Sequence, residues 1–169
     1  RLSGKKWREL FDARAATKRT SLRGVFRFYE LMAPVLEEED IVYLGEGETP
    51  TIEASPALTR EVGVPLAFKN DGQNPSGSFK DRGMAMAFSY LRAQVRKHGW
   101  DQVLTVCAST GDTSAAAALY AAYVGGPIRS VVLLPRGKVT PQQLAQPLGS
   151  GAVVLEIPGV FDDCMKVVE

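Results

Sequence analysis

Histidine and cysteine are scarce in this sequence: one histidine, His98, and two cysteines, Cys107 and Cys164, among 169 residues. A structural zinc site draws four nitrogen or sulfur ligands, usually closely spaced, so no metal ligands are expected here. The two cysteines stand far apart in apolar stretches, which predicts reduced, buried packing residues and no disulfide scaffold. No apolar run approaches the roughly 18 residues that a membrane-spanning helix needs. The opening Arg1-Leu2-Ser3-Gly4-Lys5-Lys6 lacks the apolar core of a secretory leader, so a cytoplasmic protein is expected. An excess of one charge is missing too. Twenty basic and nineteen acidic residues leave +1, which gives no support to a general nucleic-acid or membrane-surface role. With 45% hydrophobic and 23% charged residues, the chain has the composition of an ordinary globular protein.

Charge is nonetheless laid out in blocks. Residues 1–30 carry nine basic and three acidic groups, and residues 31–60 carry seven acidic and one basic. Such blocks can pair with each other, dock on a partner subunit or form solvated faces; the last is the default, because exposed ion pairs contribute little. Glu37-Glu38-Glu39-Asp40 reads as a linker or the end of a short helix. Ile41-Val42-Tyr43-Leu44 reads as a short strand entering the turn Gly45-Glu46-Gly47-Glu48-Thr49-Pro50.

From there strand and helix signals alternate. Leu66–Lys69 is a strand candidate. Met84, Ala87, Phe88, Leu91 and Val95 recur at helical spacing after a start near Ser78, and His98-Gly99 closes that helix, the histidine suiting the last turn and the glycine the C′ position. Val103–Ala108 is a strand, followed by an alanine-rich helix over Ala115–Val124 that Gly125-Gly126-Pro127 stops. Ser130–Leu134 and Ala152–Ile157 are further strands. Between them a short helix has Thr140 as N-cap and Pro141 at N1, and another helix begins at Phe161. The alternation predicts an α/β fold, an open parallel sheet with helices on both faces.

Two stretches place a polar, glycine-containing turn before a helix: Asn74-Pro75-Ser76-Gly77-Ser78-Phe79-Lys80-Asp81-Arg82-Gly83 and Ser109-Thr110-Gly111-Asp112-Thr113-Ser114. Free N–H groups and the positive dipole end favour anions such as phosphate or carboxylate there. Lys80 is the sharpest single feature. A lysine in the first helical turn meets the positive end of the dipole, which disfavours its cation and favours the neutral amine of a Schiff-base nucleophile. The plain alternative is an exposed lysine paired with Asp81.

These residues resemble the pyridoxal-phosphate enzymes of the tryptophan-synthase β fold, fold type II. Within that superfamily Leu44–Pro50, Leu133-Leu134-Pro135-Arg136-Gly137-Lys138-Val139, Gln143–Leu148 and Phe161–Met165 look most like threonine synthases, and the ordered resemblance runs from about Trp7 to the end. It implies pyridoxal 5′-phosphate as cofactor, with Lys80 holding it covalently and later moving protons. Asp112 falls where relatives often carry an asparagine that bonds the ring hydroxyl; a carboxylate beside a phenolate is repelled unless the two share a proton. Ser109, Thr110 and Thr113 match the loop that holds the substrate α-carboxylate, a role compatible with helix capping.

The implied reaction turns O-phospho-L-homoserine and water into L-threonine and phosphate, a small-molecule lyase reaction with no nucleic-acid or membrane partner, carried out by a homodimer. Sibling activities with the same lysine and Ser-Thr-Gly turn are a serine/threonine dehydratase and a cysteine-synthase-like lyase. A non-catalytic anion-binding or assembly module is the alternative from another class. The sequence opens without methionine and closes on Glu169 within a helix pattern, which reads as a fragment, and the resemblance implies an incomplete two-domain architecture. Residues 1–65 then form an N-terminal extension and the start of a large domain, and residues 66–169 carry the lysine motif and most of a smaller one. The cofactor-phosphate loop and the ring-nitrogen partner of this superfamily come later in the chain, so weak cofactor binding and slow turnover are expected of these 169 residues alone.

Overall fold

The computed structural model describes residues 2–17 and 21–168. Arg1, Lys18 and Arg19 of the basic block, and Glu169 at the end of the last helix pattern, lie outside the described residues.

Among the described residues seven α-helices and five strands follow one another: α1 Gly4–Ala15, α2 Tyr29–Met32, β1 Thr51–Glu53, α3 Pro56–Val62, β2 Ala67–Lys69, α4 Lys80–His98, β3 Val103–Ala108, α5 Asp112–Val124, β4 Ile128–Pro135, α6 Pro141–Gly149, β5 Val153–Ile157 and α7 Phe161–Val168. β3, β4 and β5 form a parallel sheet in that order. Short glycine- and proline-marked turns and the intervening helices produce it, as the alternating pattern requires. Val132 and Leu134 of β4 pack with Ala118 of α5 and Ala152 on one face. α7 lies against β3 and β4, and side-chain alternation puts Leu133 on the opposite face. β2 falls on the expected Leu66–Lys69 strand and makes a separate antiparallel pair with β1, a partner that the sequence pattern does not announce.

The inner helix is α5. Its alanines 115–118 and 121 are all buried, so its first turns are apolar on every side that meets a neighbour, while Ala122 and Tyr123 near its end are exposed. Small side chains let α4, the sheet and α6 approach it closely. α4 ends as expected, with His98 in the last turn and Gly99 in the left-handed region at φ 63°, and His98 stacks on Trp100. α6 opens with the expected Thr140 cap, completed into a reciprocal box by Gln143. Among the described residues no helix is long and apolar enough to cross a membrane, and no cluster of side chains suits a metal. Both cysteines are free; Cys164 is buried and Cys107 half-buried.

Three sequence expectations change. Ile41–Leu44 is extended but is not a strand. Ile41 and Val42 are buried in the core beside Phe26 and Phe88, and the Val42 N–H donates to Ser89 Oγ of α4 at 2.8 Å, not to a neighbouring strand. On α4 the buried line is Asp81, Ala85, Phe88 and Ser89, while Ala87 is exposed. Polar members fit that line because they find partners: Ser89 Oγ also donates to the Ala85 carbonyl at 2.7 Å. The charge blocks, expected as solvated faces, are in part joined to each other. Arg23 forks onto Glu48 and Ser21 donates to Glu38, while Arg14 forks onto Glu30 within the first block. Gly24 belongs to the same seam. Its φ is +54°, and an added Cβ would stand 2.0 Å from the Glu46 carbonyl oxygen, so only glycine fits.

Candidate active site

The Asn74–Ser78 turn is held from several directions before it delivers Lys80. Asn74 Oδ1 accepts from the Gly47 N–H at 3.0 Å, and its amide donates to the Asp71 carbonyl at 2.8 Å. The Ser76 N–H donates to Asp81 Oδ2 at 2.8 Å. Gln146 of α6 donates its side-chain amide to the Ser76 carbonyl at 2.9 Å. Gly77 takes φ +86°, which turns the chain toward the helix. The Lys80 N–H then donates to Ser78 Oγ at 3.3 Å.

Lys80 is the first residue of α4 and half-buried. Among the described residues its Nζ has no carboxylate partner and lies 4.7 Å from the centre of the Phe79 ring. The surface pair with Asp81 is therefore not made. Asp81 is fully buried instead, and burial pushes its carboxyl pKa up, with the charge of Asp112 adding to that direction.

The second turn follows β3 at the carboxyl end of the parallel sheet, where open α/β sheets bind their ligands. Ser109 Oγ accepts from the Gly111 N–H at 3.3 Å, and Ser114 Oγ donates to the Gly111 carbonyl at 2.7 Å. α5 starts at Asp112 with no side-chain cap, so its positive end remains open to an anion. Ser109, Thr110 and Thr113 are half-buried around it and Asp112 is exposed. α4 and α5 pack together, and Asp81 and Asp112, each in the first turn of its helix, act on each other. The two turns named from the sequence are thus brought side by side. A cleft lined by Asp101, Leu104, Pro127 and Arg129 lies at the other end of β3 and β4, away from these turns.

Near Asp81 sits a carboxylate that sequence reasoning left as part of a turn. Glu46 is fully buried. Its Oε2 accepts from the Leu44 N–H at 2.9 Å and the Tyr120 hydroxyl of α5 at 2.8 Å. Desolvation raises its pKa, and Asp81 adds to the rise. Tyr120 is pushed up as well, by burial and then by Glu46. Asp81 carried a signal: it stands at the head of the buried line 81, 85, 88, 89. Glu46, between two glycines, carried none, and neither did Gln146, whose contact spans 70 residues of chain.

A family described as pyridoxal-phosphate dependent enzyme matches residues 42–169. The chain belongs to the pyridoxal-phosphate-dependent enzyme family. Its cofactor is therefore pyridoxal phosphate, and the residues present fit that group. They supply a primary amine at a helix start, an uncapped helix N-terminus flanked by hydroxyls, and a buried Ser76 hydroxyl with no hydrogen-bond partner among the described residues. This family member is 45% identical over 146 residues to a threonine synthase of Halalkalibacterium halodurans, covering 86% of this chain and 39% of that protein. It is 42% identical over 147 residues to a threonine synthase of Methanocaldococcus jannaschii, covering 86% and 34%. Among solved structures, a pyridoxal 5′-phosphate-dependent aspartate racemase aligns with TM-score 0.58 at 22% identity, over 85% of this chain and 40% of that one. Maize serine racemase aligns with TM-score 0.58 at 23% identity, over 85% and 38%. These two share the fold, an α/β arrangement of which this chain spans less than half.

Proposed function

We propose that this chain is the amino-terminal part of a threonine synthase, which converts O-phospho-L-homoserine and water to L-threonine and phosphate. The observation that carries the reading is the presentation of Lys80. It opens α4 on a turn held at the Asn74 side chain and at both sides of the Ser76 peptide, beside the uncapped start of α5. The 41–45% identity to threonine synthases over most of the chain supports the choice of substrate.

In this reading Lys80 holds the cofactor, and Asp112 takes the ring-hydroxyl position with a shared proton. Ser109, Thr110 and Thr113 hold the substrate carboxylate together with the first N–H groups of α5, whose dipole favours that charge. When bound, pyridoxal phosphate supplies an electron sink for the charge that develops at the substrate Cα. The Lys80 amine is the base that takes the Cα proton and the acid that returns it. The net reaction breaks the Cγ–O bond to phosphate and one Cβ–H bond, places a proton on Cγ and the oxygen of water on Cβ, so atoms balance without a further reactant. We extend the reading to a cytoplasmic homodimer. The exposed Leu31, Met32 and Val35 in the N-terminal region support a subunit contact.

The test is a turnover assay of the full-length protein with O-phospho-L-homoserine. One phosphate per threonine is expected, falling on the order of 10³-fold in Lys80→Ala. Ketoacid from L-threonine or L-serine without phosphate release would move the assignment to a dehydratase. Absence of a borohydride-trapped cofactor on Lys80 would leave a non-catalytic module.

A further inference from the structure

Four buried side-chain polar atoms lack a hydrogen-bond partner among the described residues, and three of them, Glu46 Oε1, Ser76 Oγ and Asp81 Oδ1, belong to or adjoin the turn that leads to Lys80. The fourth, Ser130 Oγ, is on β4. Ser76 and Asp81 are joined by a hydrogen bond, and Glu46 and Asp81 lie within each other's field. A buried carboxyl costs stability unless its partners compensate. Asp81 Oδ2 accepts from a backbone N–H four residues before Lys80 in the same turn, and the Ser76 side chain acts on the same carboxyl. The charged groups facing it, Asp112 from α5 and Glu46 from the loop before β1, are both acidic. Its helix neighbour Arg82 is turned away to Asp71 at 2.8 Å and to Thr49. An apolar residue would be cheaper at such a place if packing were the only demand.

We propose that Asp81 is a positioning residue of this site, holding the Ser76 peptide so that the turn delivers Lys80 to the cofactor, with Gln146 of α6 as its counterpart on the other side of that peptide. This rests on the Lys80 reading given above. Asp81 supplies the acceptor for the Ser76 N–H, and Gln146 supplies the donor for the Ser76 carbonyl. The peptide is therefore fixed in rotation as well as position, and with it the direction in which the chain enters α4. The contact from α6 also ties the lysine turn to the element that follows β4.

The experiment uses the full-length protein with pyridoxal phosphate and no substrate. Occupancy of Lys80 is read by borohydride trapping and peptide mass spectrometry over a cofactor titration. Asp81→Asn keeps an acceptor for the Ser76 N–H and should stay within about threefold of the parent midpoint. Asp81→Ala removes it and should raise the midpoint about tenfold, the equivalent of one ordinary hydrogen bond. An Ala variant equal to the parent, or an Asn variant as impaired as Ala, overturns the proposal. If Asp81→Ala fails to fold by circular dichroism, Gln146→Ala serves. It should shift the midpoint about threefold or more with an unchanged spectrum, and an unshifted midpoint overturns the proposal. A parent protein that does not label at Lys80 refutes the lysine reading itself, which keeps the two failures distinct.

Discussion

Asp40 and Glu46 are both fully buried carboxylates a few residues apart in the chain, yet their surroundings push them in opposite directions. Asp40 receives a two-pronged guanidinium: Arg96 Nε and Nη2 donate to its two oxygens at 2.9 and 2.6 Å. That bond, ahead of the cost of burial, holds its carboxyl below the usual carboxylate range. Glu46 accepts from an amide and a phenol only, and desolvation lifts it above that range. The difference follows from location. Asp40 fastens the N-terminal segment to the far end of α4, where a half-exposed arginine is available. Glu46 lies near Asp81 at the start of α4, where the charge acting on it is acidic. The paired carboxyl is pushed down by its guanidinium, and the carboxyls near the start of α4 are pushed up by burial.

The largest expected effect breaks the first half of that contrast. Arg96→Leu leaves Asp40 buried without its partner, and loss of one member of such a pair is strongly destabilising. The melting temperature of the full-length protein should fall by about 5–10 °C, with partial recovery in acid as Asp40 takes a proton. In the parent protein the sign is fixed by the depressed Asp40 pKa. Its contribution is present at neutral pH and is lost as pH falls through that pKa, below about 4. The next effect breaks the second half. Tyr120→Phe removes one of the two donors to Glu46 at nearly constant volume, and should cost about 1–2 kcal/mol, seen as a smaller fall in melting temperature.

Much of this molecule is legible in its sequence because much of it is local. The Thr140-Pro141 start of α6, the Gly99 stop of α4 and the strand Val103–Ala108 each follow from neighbours within a few residues. The turns at Ser76–Lys80 and Ser109–Ser114 stand out for the same reason: glycine and hydroxyl residues just before a helix announce an anion-friendly end. What stays hidden depends on distant partners. Ile41–Leu44 has strand-like residues, but its backbone donor is spent on Ser89 of α4. Glu46 meets Tyr120 across 74 residues, and Asp40 meets Arg96 across 56. Charged side chains are buried only when such partners arrive, so no periodicity marks them in advance. Asp81 is the exception that a closer look at helical spacing exposes, being a charge at the head of a buried line.

Glu46→Gln sharpens the contrast with a smaller effect. The amide oxygen still accepts from Leu44 and Tyr120, while the buried ionisable group is gone. The melting temperature at pH 7 should change by no more than about 2 °C, upward if it moves. The shape of the pH profile is more telling. Because the folded pKa of Glu46 is raised, the parent loses stability as pH rises from the ordinary glutamate value near 4.3 through the raised one. The variant should lack that decline. A variant with the same decline would mean that Glu46 stays ionised in the fold and that the contrast with Asp40 is false.

The smallest effect isolates burial from pairing. Arg23 forks onto Glu48 much as Arg96 forks onto Asp40, but both Arg23 and Glu48 are about 40% exposed, whereas Asp40 is not. Removing an exposed partner leaves a carboxylate that water solvates at once, so Arg23→Leu should shift the melting temperature by no more than about 1 °C. Added salt should erase even that, since exposed charges are screened within about 8 Å at physiological ionic strength. If Arg23→Leu instead matched Arg96→Leu, the arginine fork itself would be the stabilising unit wherever it occurs. The case for Glu46 as a deliberately unpaired acid would then weaken, because a fork placed there would have been favourable too. A small shift keeps burial as the variable that matters, and with it the reason why Glu46 and Asp81 depend on backbone N–H groups and a phenol.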